Sequence, residues 1–157
     1  MEQGTIEREL HVGAPPEVVF DVISSPEHIR KWWQADEADV AVAVGARGEL
    51  VWGDRSAADV HIARLTVVEA EPPRRFSFRW VYDDDVDLPT AGNSLLVTFE
   101  LTPADGGTTV RLTESGFRER GWEAAVLQKH YDEHQHGWDQ HFNGGLRRYL
   151  ERLVLAP

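Results

Sequence analysis

At 157 residues the chain is sized for one domain, 1–157, and such a domain buries roughly 68–70% of the surface its unfolded chain exposes. Its 16 Lys and Arg against 27 Asp and Glu leave a formal net charge of -11, with no basic stripe, which argues against nucleic acid and anionic membranes as partners. The absence of cysteine excludes disulfides, thiolate metal sites and cysteine nucleophiles.

Thr5 to Val12 alternates Ile6, Arg8, Leu10 and Val12 against Glu7, Glu9 and His11, which predicts a first strand. Gly13, Pro15 and Pro16 end it, and Pro16 suits the first position of a short helix buried through Val18, Val19, Val22 and Ile23. Ser25 is placed to cap a second short helix, with Pro26 first and Ile29, Trp32 and Trp33 following. From Ala38 onward strands take over. Val40, Val42 and Val44 alternate, Gly45 and Gly48 punctuate a turn, and Glu49 to Trp52 returns as the second arm of a hairpin.

Val60 to Glu69 is a long β-branched run, and Arg75 to Tyr82 places Phe76, Phe78, Trp80 and Tyr82 on one face, a wall of rings. Asp83 to Asn93 reads as a polar loop. Leu95, Val97, Phe99 and Leu101 then alternate, Asp105, Gly106 and Gly107 supply hairpin turn chemistry, and Thr108 to Glu114 returns as the last strand. Trp122 to Gln128 forms a lead-in turn to a long helix, Lys129 to Leu153. At ~100° per residue this helix gathers Tyr131, Trp138, Phe142, Leu146, Tyr149 and Leu153 on one stripe, with His130, His134 and His141 along its border. No apolar run approaches the ~18 residues of a bilayer span, and the N-terminus lacks the pattern of a secretory signal, so a cytoplasmic location is expected.

A strand, two short helices, a run of hairpin strands and one long helix predict an α+β fold: about seven antiparallel strands curled around the C-terminal helix. The chain also resembles a known family. APPEVVFDVISSPEHIRKWW at Ala14–Trp33, VVEAEPPRRFSFRW at Val67–Trp80, VRLTESGF at Val110–Phe117 and HGWDQHFNGGLRRYLE at His136–Glu151 occur in the order seen in the START-like (SRPBCC) helix-grip superfamily. Within it they resemble the group named for the activator of the heat-shock-protein ATPase. The resemblance implies a curved sheet gripping the C-terminal helix, a cavity between them, and two short helices closing one end. It also implies ligand binding, cavity enzymes or chaperone activation, since function varies within a fold. The chaperone activators carry a further N-terminal domain, whereas this chain begins at the first grip strand.

The ligand-site candidates are Trp52, Phe78, Trp80, Tyr82, His134, Trp138 and His141, an aromatic lining with two imidazoles at its rim. His130 and His134, four apart, could meet one ion, but His141 lies two turns on and no third ligand follows, so no metal is expected. Asp83, Asp84, Asp85 and Asp87 lack the spacing of a calcium loop and read as a solvated turn. One of His61, Arg64, Arg79 or Arg111 turned inward would supply an orienting hydrogen bond. Gly144 and Gly145 inside the helix fit a close approach or a bend.

These residues lead to binding of a small hydrophobic or aromatic molecule without a cofactor. Two alternatives stand beside it. One is a cavity enzyme, a cyclase or an acid–base catalyst on a polyketide-like compound with His134 or His141 as proton carrier. The other is a module activating a chaperone ATPase. The corresponding partners are the small molecule itself, a chaperone, or a second copy of the chain.

Overall fold

The computed structural model describes residues 4–81 and 93–155. Alternation in the sequence becomes strand pairing. The strands are β1 (Thr5–Val12), β2 (Glu37–Asp39), β3 (Arg47–Trp52), β4 (His61–Glu71), β5 (Arg75–Val81), β6 (Leu95–Ala104) and β7 (Gly107–Ser115). Among the described residues they form one curved antiparallel sheet in the order β1-β7-β6-β5-β4-β3-β2. The first strand thus closes against the last, so a chain that proceeds by hairpins from β2 to β7 still needs one long-range pairing, Thr5–Val12 with Thr108–Ser115. The β6–β7 hairpin turns at Asp105 and Gly106, both at positive φ, 49° and 77°. Such backbone matches the right-handed twist of the strands it joins.

One face of the sheet carries the core. Ile6, Leu10, Leu65, Val67, Phe76, Phe78, Trp80, Val97, Phe99, Val110 and Leu112 are all buried on it. The two short helices, α1 (Pro16–Ser24) and α2 (Pro26–Trp32), begin at prolines as anticipated. Ser25 caps α2 through its backbone carbonyl, which accepts from His28 and Ile29. Its hydroxyl makes no cap bond and donates instead to Asp21 Oδ1 at 2.6 Å.

Two boundaries differ from expectation. The valine alternation at 40–44 predicted a strand, but β2 ends at Asp39 and Val42 and Val44 are exposed. The segment turns back onto β4 instead, with Gly45 N–H donating to the Val67 carbonyl and Val67 N–H to that of Ala46. The C-terminal helix begins earlier than predicted and is not uniform. α3 (Ala124–Trp138) passes into a π-helical segment, Asp139–Leu146, before α4 (Arg147–Leu155). A π-helix bonds i to i+5, so each residue turns the chain by less than the α value of ~100°. Residues four apart then lie nearly in line, and Trp138, Phe142 and Leu146 are all buried in one row against the sheet.

Gly145 lies in this segment for a steric reason. A Cβ there would sit 2.5 Å from the Trp32 carbonyl oxygen at the end of α2, a backbone atom with no freedom to retreat. His28 Nδ1 and the Tyr149 hydroxyl, 2.6 Å apart, fasten α2 to α4 one turn further along. Gly145→Ala is therefore expected to lose about 1–2 kcal/mol, overpacking outweighing the gain in helix propensity. A Cβ on Gly144 would meet the flexible Arg148 side chain at 3.2 Å, so Gly144→Ala should be neutral or slightly stabilising. Urea denaturation of the two variants checks the contrast, and equal effects would refute it.

Candidate functional site

Strand alternation that buries Val110 and Leu112 also carries Glu114 inward, and its side chain is 0% exposed. Three groups converge on this carboxylate. Trp80 Nε1–H donates to Oε2 at 2.8 Å, and Trp138 Nε1–H donates to Oε1 at 2.8 Å. His134 Nδ1 lies between the two oxygens, 2.8 Å from Oε1 and 3.0 Å from Oε2. Indole N–H groups only donate, so both oxygens act as acceptors, and the arrangement takes a carboxylate with the His134 proton on Nδ1.

The geometry has a simple origin. Glu114 pairs with Val97 on β6, while Trp80 on β5 pairs with Leu95, so the indole reaches across β6 on the concave side. His134 and Trp138 are one helical turn apart on α3, which lets both side chains close over the same point of the sheet. A buried charge is tolerated only when paired and hydrogen-bonded. Glu114 meets that requirement with two indoles and an imidazole.

Above this network opens a pocket of about 600 Å³. Trp33, Trp52, Trp80 and Trp138 form its apolar walls, and His61, His130, His134 and His141 stand around it with Glu133 and Gly137. Trp33 is the centre of the indole cluster. Its ring stacks on Trp32 at 4.9 Å and 10° and lies 5.3 Å from both Trp80 and Trp138 and 5.6 Å from Trp52. Trp80 and Trp138 themselves stack, 5.8 Å apart at 29°. Trp52 Nε1–H donates to the Trp33 carbonyl at 3.0 Å, fixing the β3 end of the wall to α2. At the other side His130 stacks on Trp122 at 4.1 Å, and the Arg120 guanidinium lies over the same indole at 4.5 Å.

Of the residues singled out in the sequence, Trp52, Trp80, His134, Trp138 and His141 all border this pocket. Phe78 lies in the core between Phe76 and Trp80, outside the lining. Tyr82 and the aspartates 83, 84, 85 and 87 fall outside the described residues. Of the four strand residues considered for an inward role, His61 borders the pocket, opposite Trp52 in the β3–β4 ladder, while Arg111 binds Glu7 on the outer face. Glu114 and Trp33 went unrecognised as site residues. The signal for Glu114 was present, a carboxylate in phase with Val110 and Leu112. Among the described residues no group of three or more His, Cys, Asp or Glu side chains is arranged to hold a metal ion.

The two imidazoles named from sequence have opposite electrostatics. Burial pulls His134 down, but the charge and hydrogen bond of Glu114, with Glu133 beyond, outweigh it and hold His134 above its ordinary value of 6.5. Burial, with the neighbouring His136, holds His141 below that value. Stability drawn from His134 is therefore complete below pH 6.5 and is lost as pH rises through its higher folded value. His141 acts in the reverse sense, costing stability as pH falls below 6.5. His134→Gln should flatten the alkaline fall in stability, and His141→Gln the acid one. Chemical denaturation across pH 5–8 measures both slopes, and a His134→Gln profile parallel to that of the unaltered protein would contradict the pairing.

Comparison with known proteins follows the same lines. The family model described as Activator of Hsp90 ATPase homolog 1-like protein matches residues 13–151. No curated protein matches the chain. Among solved structures, protein MLL2253 from Mesorhizobium loti is 27% identical, with a TM-score of 0.73 over 94% of this chain and 97% of that one. An AHSA1-like protein from Aeromonas hydrophila is 22% identical, with a TM-score of 0.71 over 97% of this chain and 95% of that one. DynU16, a protein of the dynemicin biosynthetic locus, is 23% identical, with a TM-score of 0.68 over 94% of this chain and 47% of that one. With the family model spanning nearly the whole chain and the grip of sheet on helix in place, this protein belongs to the Activator of Hsp90 ATPase homolog 1-like family of the START-like helix-grip superfamily.

Proposed function

We propose that the chain binds a small hydrophobic or aromatic molecule in the pocket between its sheet and its C-terminal helix. The supporting observation is the pocket of about 600 Å³ walled by four tryptophans, a volume inside the ~300–1,000 Å³ of small-molecule sites. Flat faces of indole match a flat ligand, and the imidazoles that border the pocket provide the few polar groups that orient one. Titration with naphthalene derivatives should change tryptophan emission to saturation. At a ligand concentration of 100 times Kd the protein should gain about 2.7 kcal/mol, which raises Tm by roughly 5–10 °C in a chain of this size. A panel of such ligands giving neither saturable emission change nor thermal shift would overturn the reading.

A second reading, acid–base chemistry on a polyketide-like or aromatic ketone, is favoured by the His134–Glu114 pair at the pocket wall. In it neutral His134 takes a proton from the carbon next to the ligand's carbonyl, and Glu114 stabilises the imidazolium that results. Deuterium incorporation into the methyl group of 2-acetonaphthone in D₂O tests it. The protein should accelerate exchange, and His134→Gln should remove the acceleration; equal rates for the two would dismiss catalysis by this residue.

A further inference from the structure

The indole nitrogens around the pocket are not equivalent. Those of Trp80 and Trp138 are held by Glu114, and that of Trp52 by the Trp33 carbonyl. The indole nitrogen of Trp33 has no acceptor among the described residues. Nor is it sealed away, because the one buried side-chain nitrogen or oxygen without a partner among the described residues is Asn143 Oδ1. Trp33 itself is only 6% exposed and borders the pocket.

We propose that the ligand is an aromatic molecule bearing an acceptor oxygen, of the aryl ketone or quinone type, with that oxygen held by the Trp33 Nε1–H. The inference rests on the small-molecule reading above and narrows it. An indole N–H donates and never accepts, so it specifies an acceptor where an imidazole would take either kind of group. A hydrocarbon of the same shape would displace water from the nitrogen and return no hydrogen bond. A site built to hydrogen-bond its ligand discriminates against an analogue lacking the bond, because the buried polar group is left unpaired. The surrounding indoles hold Trp33 in place, Trp32 by stacking and Trp80 and Trp138 by tilted ring contacts, so the donor direction is set before the ligand arrives.

The test compares 2-acetonaphthone with 2-isopropenylnaphthalene, which replaces the carbonyl oxygen by a methylene at nearly constant shape. Affinities for both are measured calorimetrically on the unaltered protein and on Trp33→Phe, which keeps an aromatic ring and removes the donor. The ketone should lose about tenfold in affinity on substitution and the hydrocarbon less than twofold. Equal losses for the two would overturn the acceptor inference while leaving a binding pocket intact. Binding of neither compound to the unaltered protein would overturn the pocket reading and this inference with it.

A second measurement needs no variant. In ¹⁵N-labelled protein the ketone should move the Trp33 indole N–H resonance downfield, identified by its contacts with the Trp32, Trp52, Trp80 and Trp138 rings. The hydrocarbon should not. The same shift from both compounds, or from neither, would count against the hydrogen bond.

Discussion

Replacing Glu114 with alanine is expected to cost about 3–5 kcal/mol, because the change removes the acceptor shared by the Trp80 and Trp138 indoles and His134. In a domain of this size Tm should fall by roughly 10 °C or more. Glu114→Gln is the sharper probe. It preserves shape and one acceptor oxygen but turns an amide N–H₂ toward a group that also donates, so about 1–3 kcal/mol should be lost. The losses should not add to those of Trp138→Phe, since both remove the same hydrogen bond, and a coupling of about 0.5–3 kcal/mol is expected in the double variant. Urea denaturation of the four proteins measures it. A loss below about 1 kcal/mol for Glu114→Ala would mean that water replaces the carboxylate without penalty, and the network would then have no structural weight.

Trp33→Ala is expected to be comparably damaging, about 3–5 kcal/mol, for a different reason. Trp33 is in ring contact with four other indoles, so its removal opens a void at the point where α2, β3, β5 and α3 meet. Aromatic pairs add about 0.5–1.5 kcal/mol each beyond the area they bury. Trp33→Phe should cost only a fraction of this, since the N–H it loses bonds no described residue. Thermal and urea denaturation of both variants checks the contrast, and a phenylalanine variant as unstable as the alanine one would show that the indole nitrogen has a structural partner after all.

Much of this architecture was legible because its cause is local. Period-two alternation placed β1, β5, β6 and β7 within a few residues of their observed bounds, and the proline-initiated helices α1 and α2 begin where the prolines put them. The stripe of the C-terminal helix is buried from Tyr131 to Tyr149 as its spacing required, and Leu153 at its end is partly buried. Even the meeting of Trp80 with Trp138 could be anticipated, since one lies on the wall of rings and the other at the middle of the stripe. The valine alternation at 40–44 misled, because a period of two records a preference for extended backbone and contains nothing about whether a neighbouring strand is there to pair with it.

The site divides in the same way. Which side chains face inward follows from strand and helix periods, and Glu114 was in phase with Val110 and Leu112 although its inward position was overlooked. What becomes of an inward carboxylate is decided elsewhere. Its partners lie 34, 20 and 24 positions away along the chain, on two other elements, β5 and α3. Likewise the π-helical turn at Asp139–Leu146 follows from no periodicity in the sequence, while Gly145 is required by the Trp32 carbonyl across the interface. By itself the sequence determined the alternation, the turns, the amphipathic helix and the family, all of which depend on neighbours within a few residues or on their order. Only the tertiary structure decided that Glu114 holds two indoles and an imidazole, and that Trp33 stands among four other indoles at the pocket. Hydrogen bonds are short and directional, so their partners are chosen by the final distances between segments.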